Sequence, residues 1–248
     1  IRYYVVGLSY KNADLLTRGK FSLSKPQISL LLQQAKSDGL NELMVISTCN
    51  RTELYGIVED PQKLIDYLCK FSKGTLAQFR EKGYVLSEQK AINHVFQVGC
   101  GLDSQIIGDF EIIGQLKKSF YNSKKYDMVN GFSERLVNSV IQASKRIKTE
   151  TKLSSGATSV SFASVHYILE NVKDVKNKSI LLFGTGKIGR NTCENLIKHT
   201  QNDHITLINR SYESAKKDTI VSIVGEDFEL IKFFNAKPYF CLLYTSPS

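Results

Sequence analysis

The sequence predicts an α/β protein in two parts, a mixed α+β domain followed by a domain built on a parallel sheet. Three observations carry that prediction. In the first half, short β-rich runs are interleaved with amphipathic helical periods. The second half opens on a buried-strand run, a glycine-rich turn, a helix and another strand, the order of a βαβ unit. Between the halves, the small-residue stretch Leu153-Ser-Ser-Gly156 reads as a joint, so the domains are expected over residues 1–152 and 153–248.

Taken in order, Arg2–Leu8 reads as a short, mostly apolar strand followed by a polar loop. A helix is expected to start at Ser24, where the hydroxyl can cap, Gln27 can reach back as its partner, and Pro26 falls in the first turn where no donor is lost. Leu43–Ser47 and Glu53–Val58 are β-rich runs separated by the polar segment Thr48-Cys49-Asn50-Arg51. Amphipathic helices are predicted at about Pro61–Phe71, Ser87–Val98, Phe110–Lys124 and Glu134–Glu150. In the last of these, Leu136, Val137, Val140, Ile141, Ser144 and Ile147 share one face. Beyond the joint come a helix around Ser159–Glu170, the strand Ser179–Phe183, a helix to about Lys198 and the strand Ile205–Ile208.

Composition narrows the function. With 42% hydrophobic and 23% charged residues, the 248-residue chain has the balance of a soluble globular protein. It has neither an apolar run long enough to cross a bilayer nor an opening signal peptide, so a cytoplasmic setting and no membrane partner are expected. The cysteines at 49, 69, 100, 193 and 241 include no closely spaced pair, and the histidines at 94, 166, 199 and 204 are scattered, so no metal is expected. A net charge of +9 favours an anionic partner, nucleic acid or nucleotide phosphate, although a solvated basic surface would read the same way.

Two motifs carry chemistry. Gly184-Thr-Gly-Lys-Ile-Gly189 ends a strand and opens a helix, the context in which a G-x-G-x-x-G pattern predicts a Rossmann-type dinucleotide site. Gly184 allows the tight turn, Gly186 lets backbone N–H groups approach a pyrophosphate, and Gly189 lets helix and strand pack closely. Thr185, Lys187 and Ile188 complete the loop. Asn209-Arg210-Ser211 stands where an acidic residue would bind a ribose 2′-hydroxyl; a cation and two small polar groups suit a 2′-phosphate instead, so NADPH is the expected cofactor. A glycine turn that merely packs is the alternative. The second motif is Cys49, which follows a strand and precedes Arg51 in a polar loop. A thiolate beside a nicotinamide site suits acyl capture followed by reduction to an aldehyde. On these features alone, Cys49 as a small buried hydrophobe stays open. Cys69 and Cys193 read as structural and Cys100 as ambiguous.

Together the motifs resemble the glutamyl-tRNA reductase family. The resemblance rests on Gly7-Leu-Ser-Tyr-Lys11, Ser47-Thr-Cys-Asn-Arg51, the run from Gly101 to Gln115, Ser159–Val165, the glycine loop and Asn209-Arg-Ser211, in that order over residues 1 to 215. It implies a ferredoxin-like βαββαβ core with added helices in the first domain, and a Rossmann-type NADPH-binding domain after it. It implies that Cys49 attacks glutamyl-tRNA(Glu) to give a glutamyl thioester, which NADPH reduces to glutamate-1-semialdehyde, the first step of tetrapyrrole synthesis from glutamate. His94 then matches an active-site histidine, and Thr48, Arg51, Ser104, Asp109, Glu111 and Gln115 match substrate-binding positions. A homodimer and glutamate-1-semialdehyde aminomutase are the implied partners.

The match has departures. Tyr10 stands where many members have histidine, Asp109 and Glu111 where Glu and Gln are commoner, and Cys100 at a usual serine. The second domain is expected to be truncated, with 236–248 a non-native tail and the family's dimerisation domain absent. Two alternative readings are a shikimate-type NADP-dependent dehydrogenase, which needs no thiol, and a non-catalytic tRNA- or nucleotide-binding module.

Overall fold

The computed structural model describes residues 2–151, 153, 160–183, 187–202, 204–208, 222–224 and 242–243. They divide into two compact units, Ile1–Ser155 and Gly156–Ser248, a boundary three residues beyond the expected one.

Unit 1 contains β1 (Arg2–Ser9), α1 (Leu15–Phe21), α2 (Lys25–Ser37), β2 (Leu43–Ser47), β3 (Arg51–Val58), α3 (Gln62–Phe71), α4 (Leu76–Lys82), β4 (Tyr84–Ser87), α5 (Glu88–Gly99), α6 (Glu111–Lys125) and α7 (Gly131–Glu150). Its strands form one antiparallel sheet in the order β2-β3-β1-β4, the ferredoxin-like arrangement that the resemblance implied. The two-residue period of the strands sorts the core onto both faces. Val6, Leu8, Leu43, Val45 and Leu54 meet Phe21 of α1, Leu31 and Leu32 of α2, Leu64 and Leu68 of α3 and Phe79 of α4. Val5, Met44, Ile46 and Tyr55 meet Ala91 and Val95 of α5, Leu116 and Phe120 of α6, and Val137 and Val140 of α7. Helices α5, α6 and α7 are therefore the additions that cover the second face.

Local signals explain most boundaries. At α2 the Gln27 side chain accepts from the Ser24 backbone N–H at 2.9 Å, as the capping pattern predicts. Asn130 caps α7 by accepting from the N–H groups of Phe132 and Ser133, which starts that helix three residues before Glu134. Three elements of unit 1 escape the sequence reading. Helix α1 falls in the expected polar loop, because it buries Phe21 and turns Leu15 and Leu16 outward, the reverse of the pattern that marks an amphipathic helix. Helix α4 has only seven residues, and β4 is a four-residue edge strand with no alternation of burial.

Gly7 shows how closely β1 and β3 approach. It pairs with Glu53, and a Cβ built there would lie 2.4 Å from the Thr52 carbonyl oxygen and 2.7 Å from Glu53 Cγ. Backbone cannot yield as a side chain can. Gly7→Ala is expected to cost about 1–3 kcal/mol of stability through overpacking, measurable as a lower urea midpoint; an unchanged midpoint would show that the sheet has slack there.

In unit 2, α8 (Val160–Asn171) precedes β5 (Ile180–Phe183), α9 (Lys187–Thr200), β6 (Ile205–Ile208), β7 (Ser222–Val224) and β8 (Leu242–Leu243). All four strands are parallel, in the order β7-β6-β5-β8. Val165 and Ile168 of α8 pack with Cys193 and Leu196 of α9, Leu182 and Ile205, so the helices close a small core over the sheet. Of the expected tail, Leu242 and Leu243 pair with β5, and the rest lies outside the described residues. Among those residues no helix is long and apolar enough to cross a membrane.

Candidate active site

The loop carrying Cys49 is the tip of the β2–β3 hairpin. Ser47 pairs with Thr52, leaving Thr48 to Arg51 to turn the chain. The Thr48 N–H donates to the Arg51 carbonyl at 2.8 Å, and the Thr48 hydroxyl oxygen accepts from the N–H groups of Asn50 and Arg51 at 3.2 Å each. Such a threonine organises its own turn, which is why the turn needs no glycine. Two further bonds tie the tip to unit 1: the Tyr10 N–H donates to the Asn50 carbonyl at 2.8 Å, and Arg18 Nε of α1 donates to the Cys49 carbonyl at 3.0 Å. The Cys49 side chain is exposed, whereas Cys69 is half-buried and Cys100 and Cys193 are buried. Burial pushes the Cys69 and Cys100 thiols up, further from the reactive thiolate form.

Behind the loop lies an ionic cluster. Arg51, Glu53 and Tyr55 alternate along β3 and share its α5-facing side. Arg51 Nη1 donates to Glu53 Oε1 at 3.1 Å and stands 3.6 Å from Asp103 Oδ2, while Nη2 donates to the Asp103 carbonyl. The hydroxyls of Tyr55 and Tyr84 both donate to Glu53. His94, on α5, donates from Nε2 to Glu53 Oε1 at 2.8 Å, and its Nδ1 stands 3.7 Å from Asp103 Oδ2. The Tyr84 ring meets the His94 ring edge-on at 5.6 Å, and Lys11 reaches the other Asp103 oxygen.

Glu53 is 0% exposed. Burial alone would push its carboxyl up, but the Arg51 guanidinium, His94 and the Tyr55 hydroxyl outweigh it and lower it to about 2. In turn, burial would lower the Arg51 guanidinium, but Glu53 together with Tyr55, Tyr84 and Asp103 outweighs it and raises the guanidinium further. Burial and the Glu53 charge together raise the Tyr55 and Tyr84 phenols, so both stay protonated and able to donate.

Asp103 arrives through the turn after α5. Gly101 takes a left-handed φ of +70°, and a Cβ there would lie 2.8 Å from the Asp109 carbonyl oxygen. The N–H groups of Leu102 and Asp103 then fold back onto the Gln97 carbonyl.

The expected site residues are distributed as follows. Thr48, Cys49 and Arg51 share the hairpin tip, and His94 joins them through Glu53. The Arg51 guanidinium is already directed at Glu53 and Asp103, so a substrate carboxylate must displace one of them or approach from their rim. Ser104 is half-buried beside Asp103. Asp109 Oδ1 accepts from the Glu111 N–H at 3.0 Å at the start of α6, and Glu111 and Gln115 are exposed on that helix. In unit 2, the Ser161 hydroxyl donates to the Ile188 carbonyl at 3.1 Å, holding α8 against the first turn of α9, which also contains Lys187 and Gly189. Gly184, Thr185, Gly186, Asn209, Arg210, Ser211 and Cys241 lie outside the described residues.

The sequence reading missed Glu53, Tyr55, Tyr84, Asp103, Lys11 and Arg18. One signal was available: Arg51, Glu53 and Tyr55 at two-residue spacing put opposite charges and a phenol on one face of an otherwise apolar strand. Among the described residues, no group of three or more His, Cys, Asp or Glu side chains could hold a metal ion.

Residues 6–151 match the family described as glutamyl-tRNAGlu reductase, N-terminal domain. The chain is 62% identical over 215 residues to a glutamyl-tRNA reductase of Flavobacterium psychrophilum, covering 87% of this chain and 52% of that protein. It is 60% identical over 215 residues to one of Christiangramia forsetii, covering 87% and 51%. Its fold is similar to that of glutamyl-tRNA reductase from Methanopyrus kandleri, with a TM-score of 0.60 at 24% identity, over 90% of this chain and 54% of that one. The chain thus spans about half the length of the curated relatives it matches.

Proposed function

The chain belongs to the glutamyl-tRNA reductase family, and from that premise we propose that it moves the glutamyl group of glutamyl-tRNA(Glu) onto Cys49 and reduces it to glutamate-1-semialdehyde, the entry to tetrapyrrole synthesis. The observation that carries the reading is an exposed thiol on a hairpin tip held by backbone hydrogen bonds, with a buried ionic cluster at its base.

In this reading, the Cys49 thiolate attacks the ester carbonyl carbon, a C–S bond forms, and the terminal ribose oxygen leaves with the bonding pair. That oxygen needs a proton. His94 supplies it, its ring aimed by Glu53 and Asp103 as a general acid beside the ester. Thr48 holds the turn, and Arg51, with Ser104, Asp109, Glu111 and Gln115, receives the polar groups of the glutamate. NADPH, when bound, supplies the hydride that turns the acyl carbon into an aldehyde. The Cys49 sulfur leaves in that step as the thiolate, and His94 takes a proton from solvent, which returns the enzyme to its starting state.

The residues of unit 2 fit such a dinucleotide. Three residues separate the end of β5 from the start of helix α9, and β5 lies in the middle of a parallel sheet, so the first turn of α9 stands at the carboxyl edge where phosphates bind. Gly184, Thr185, Gly186, Lys187, Ile188 and Gly189 would cradle the pyrophosphate, and Asn209, Arg210 and Ser211 the 2′-phosphate. A Rossmann-type domain, a homodimer, an aminomutase that takes the reactive aldehyde, and a cytoplasmic setting complete the proposal.

The test is to trap the acyl enzyme. Glutamyl-tRNA without NADPH is expected to add one glutamyl group to the purified chain, located on Cys49 by peptide mass spectrometry and discharged when NADPH is added. An adduct on another residue, or none, would overturn the reading.

A further inference from the structure

The surface beside the candidate nucleophile is apolar where a solvated helix would be polar. Leu15 and Leu16 are 69% and 80% exposed on the first turn of α1. Through Arg18, the same short helix is hydrogen-bonded to the backbone carbonyl of Cys49 itself. Leu102 and Ile107, on the turn after α5 that carries Asp103, are exposed as well. Two adjacent leucines in water at a helix start stabilise nothing in the unit they belong to, since neither is buried in its core.

The charge around them points to the occupant. Unit 1 holds 22 Lys and Arg against 15 Asp and Glu, which is +7 of the whole chain's +9. Arg18 donates to two carbonyl oxygens, those of Ala13 and Cys49, which leave its positive charge in place, and Lys20 is exposed two residues further along. The Asp14 carboxylate before the leucines is taken up in capping α1, where it accepts from the Thr17 N–H, and the cations lie on the other side. An apolar seat so placed suits a nucleotide, whose base has a flat apolar face and whose phosphate is anionic.

We propose that Leu15 and Leu16 seat the base of the 3′-terminal nucleotide of charged tRNA, with Arg18 and Lys20 beside its phosphate. This rests on the reading of Cys49 as the acyl acceptor. The ester joins the glutamyl carbonyl to the terminal ribose, so when that carbonyl reaches the Cys49 sulfur, the attached base must lie on whatever surface adjoins the hairpin tip. Helix α1 is bonded to that tip. Splayed-out RNA end bases are commonly taken up on protein side chains, aromatic rings and arginine planes above all. Arg18 thereby links two tasks, holding the Cys49 backbone and flanking the nucleotide.

The double substitution Leu15→Glu with Leu16→Glu tests the seat, because acidic residues in a first helical turn are compatible with the helix but repel RNA. Cys49 acylation is followed with two donors, glutamyl-tRNA and a small glutamyl thioester that has no nucleotide. The expected result is at least a tenfold fall in acylation by glutamyl-tRNA, mostly as a raised KM, with the small thioester unchanged within twofold. Equal loss with both donors would make the leucines structural, and no loss with either would empty the seat. A variant acylated normally by tRNA but slow in the NADPH-dependent step would assign the patch to the cofactor half of the chain. Each of these overturns the inference while leaving Cys49 in place; wild-type protein acylated by neither donor would instead remove the reading beneath it.

Discussion

Cys49→Ser is expected to lower semialdehyde formation by at least about a thousandfold while glutamyl-tRNA binding stays within twofold. A serine hydroxyl is almost wholly protonated at neutral pH, and no base lies bonded to this side chain among the described residues, so the substituted oxygen has nothing to activate it. The loop should not notice the change. Its shape depends on the Thr48 hydroxyl and on backbone bonds from Tyr10 to Asn50 and from Arg18 to the Cys49 carbonyl, none of which uses the cysteine side chain. Single-turnover assays with filter binding in parallel separate the two effects. Near-normal turnover by the serine variant would end the thioester mechanism, and a matching loss of binding would mean that the thiol serves the loop.

Glu53→Gln should have the largest effect on stability. The substitution keeps the size of the side chain but removes the charge that faces Arg51 at 3.1 Å and His94 at 2.8 Å, both in a site where Glu53 is 0% exposed. A buried guanidinium left with only Asp103 is costly, and a loss of about 3 kcal/mol at neutral pH is expected. The pH dependence makes the charge visible. The Glu53 carboxyl is lowered from 4.5 to about 2 in the folded chain. Its contribution is therefore complete above pH 4.5 and is lost as the pH falls through about 2. Urea unfolding of the two proteins should differ most near neutrality and converge between these limits. A gap that stays constant down to pH 2 would show that shape, not charge, is what the cluster needs from Glu53.

These two predictions concern one short strand, and they divide what could be read from residues alone from what could not. The hairpin tip was legible because its cues are local: two β-rich runs, a polar connection, and a cysteine next to an arginine. The capping pattern at Ser24, the helices α3, α5, α6 and α7, and the βα step into the glycine loop were legible for the same reason, since each is set by side chains within a few positions of one another. Helix α1 was not. Its burial pattern runs backwards, and only the bond from Arg18 to the Cys49 carbonyl, 31 residues along the chain, makes sense of it.

The sequence by itself determined the two-part α/β plan, the family and the candidate nucleophile, because periodicity, capping and motif order depend on near neighbours. Only the tertiary structure decided the partners of Arg51. Glu53 reads as an ordinary strand charge until β1, α5 and the turn at Gly101 close over it and bring His94 from 41 residues away and Asp103 from 52 residues beyond Arg51. Those distances are fixed by strand register and helix packing, and the Arg51, His94 and Tyr55 groups they bring together outweigh burial and hold the Glu53 carboxyl in its charged form down to about pH 2.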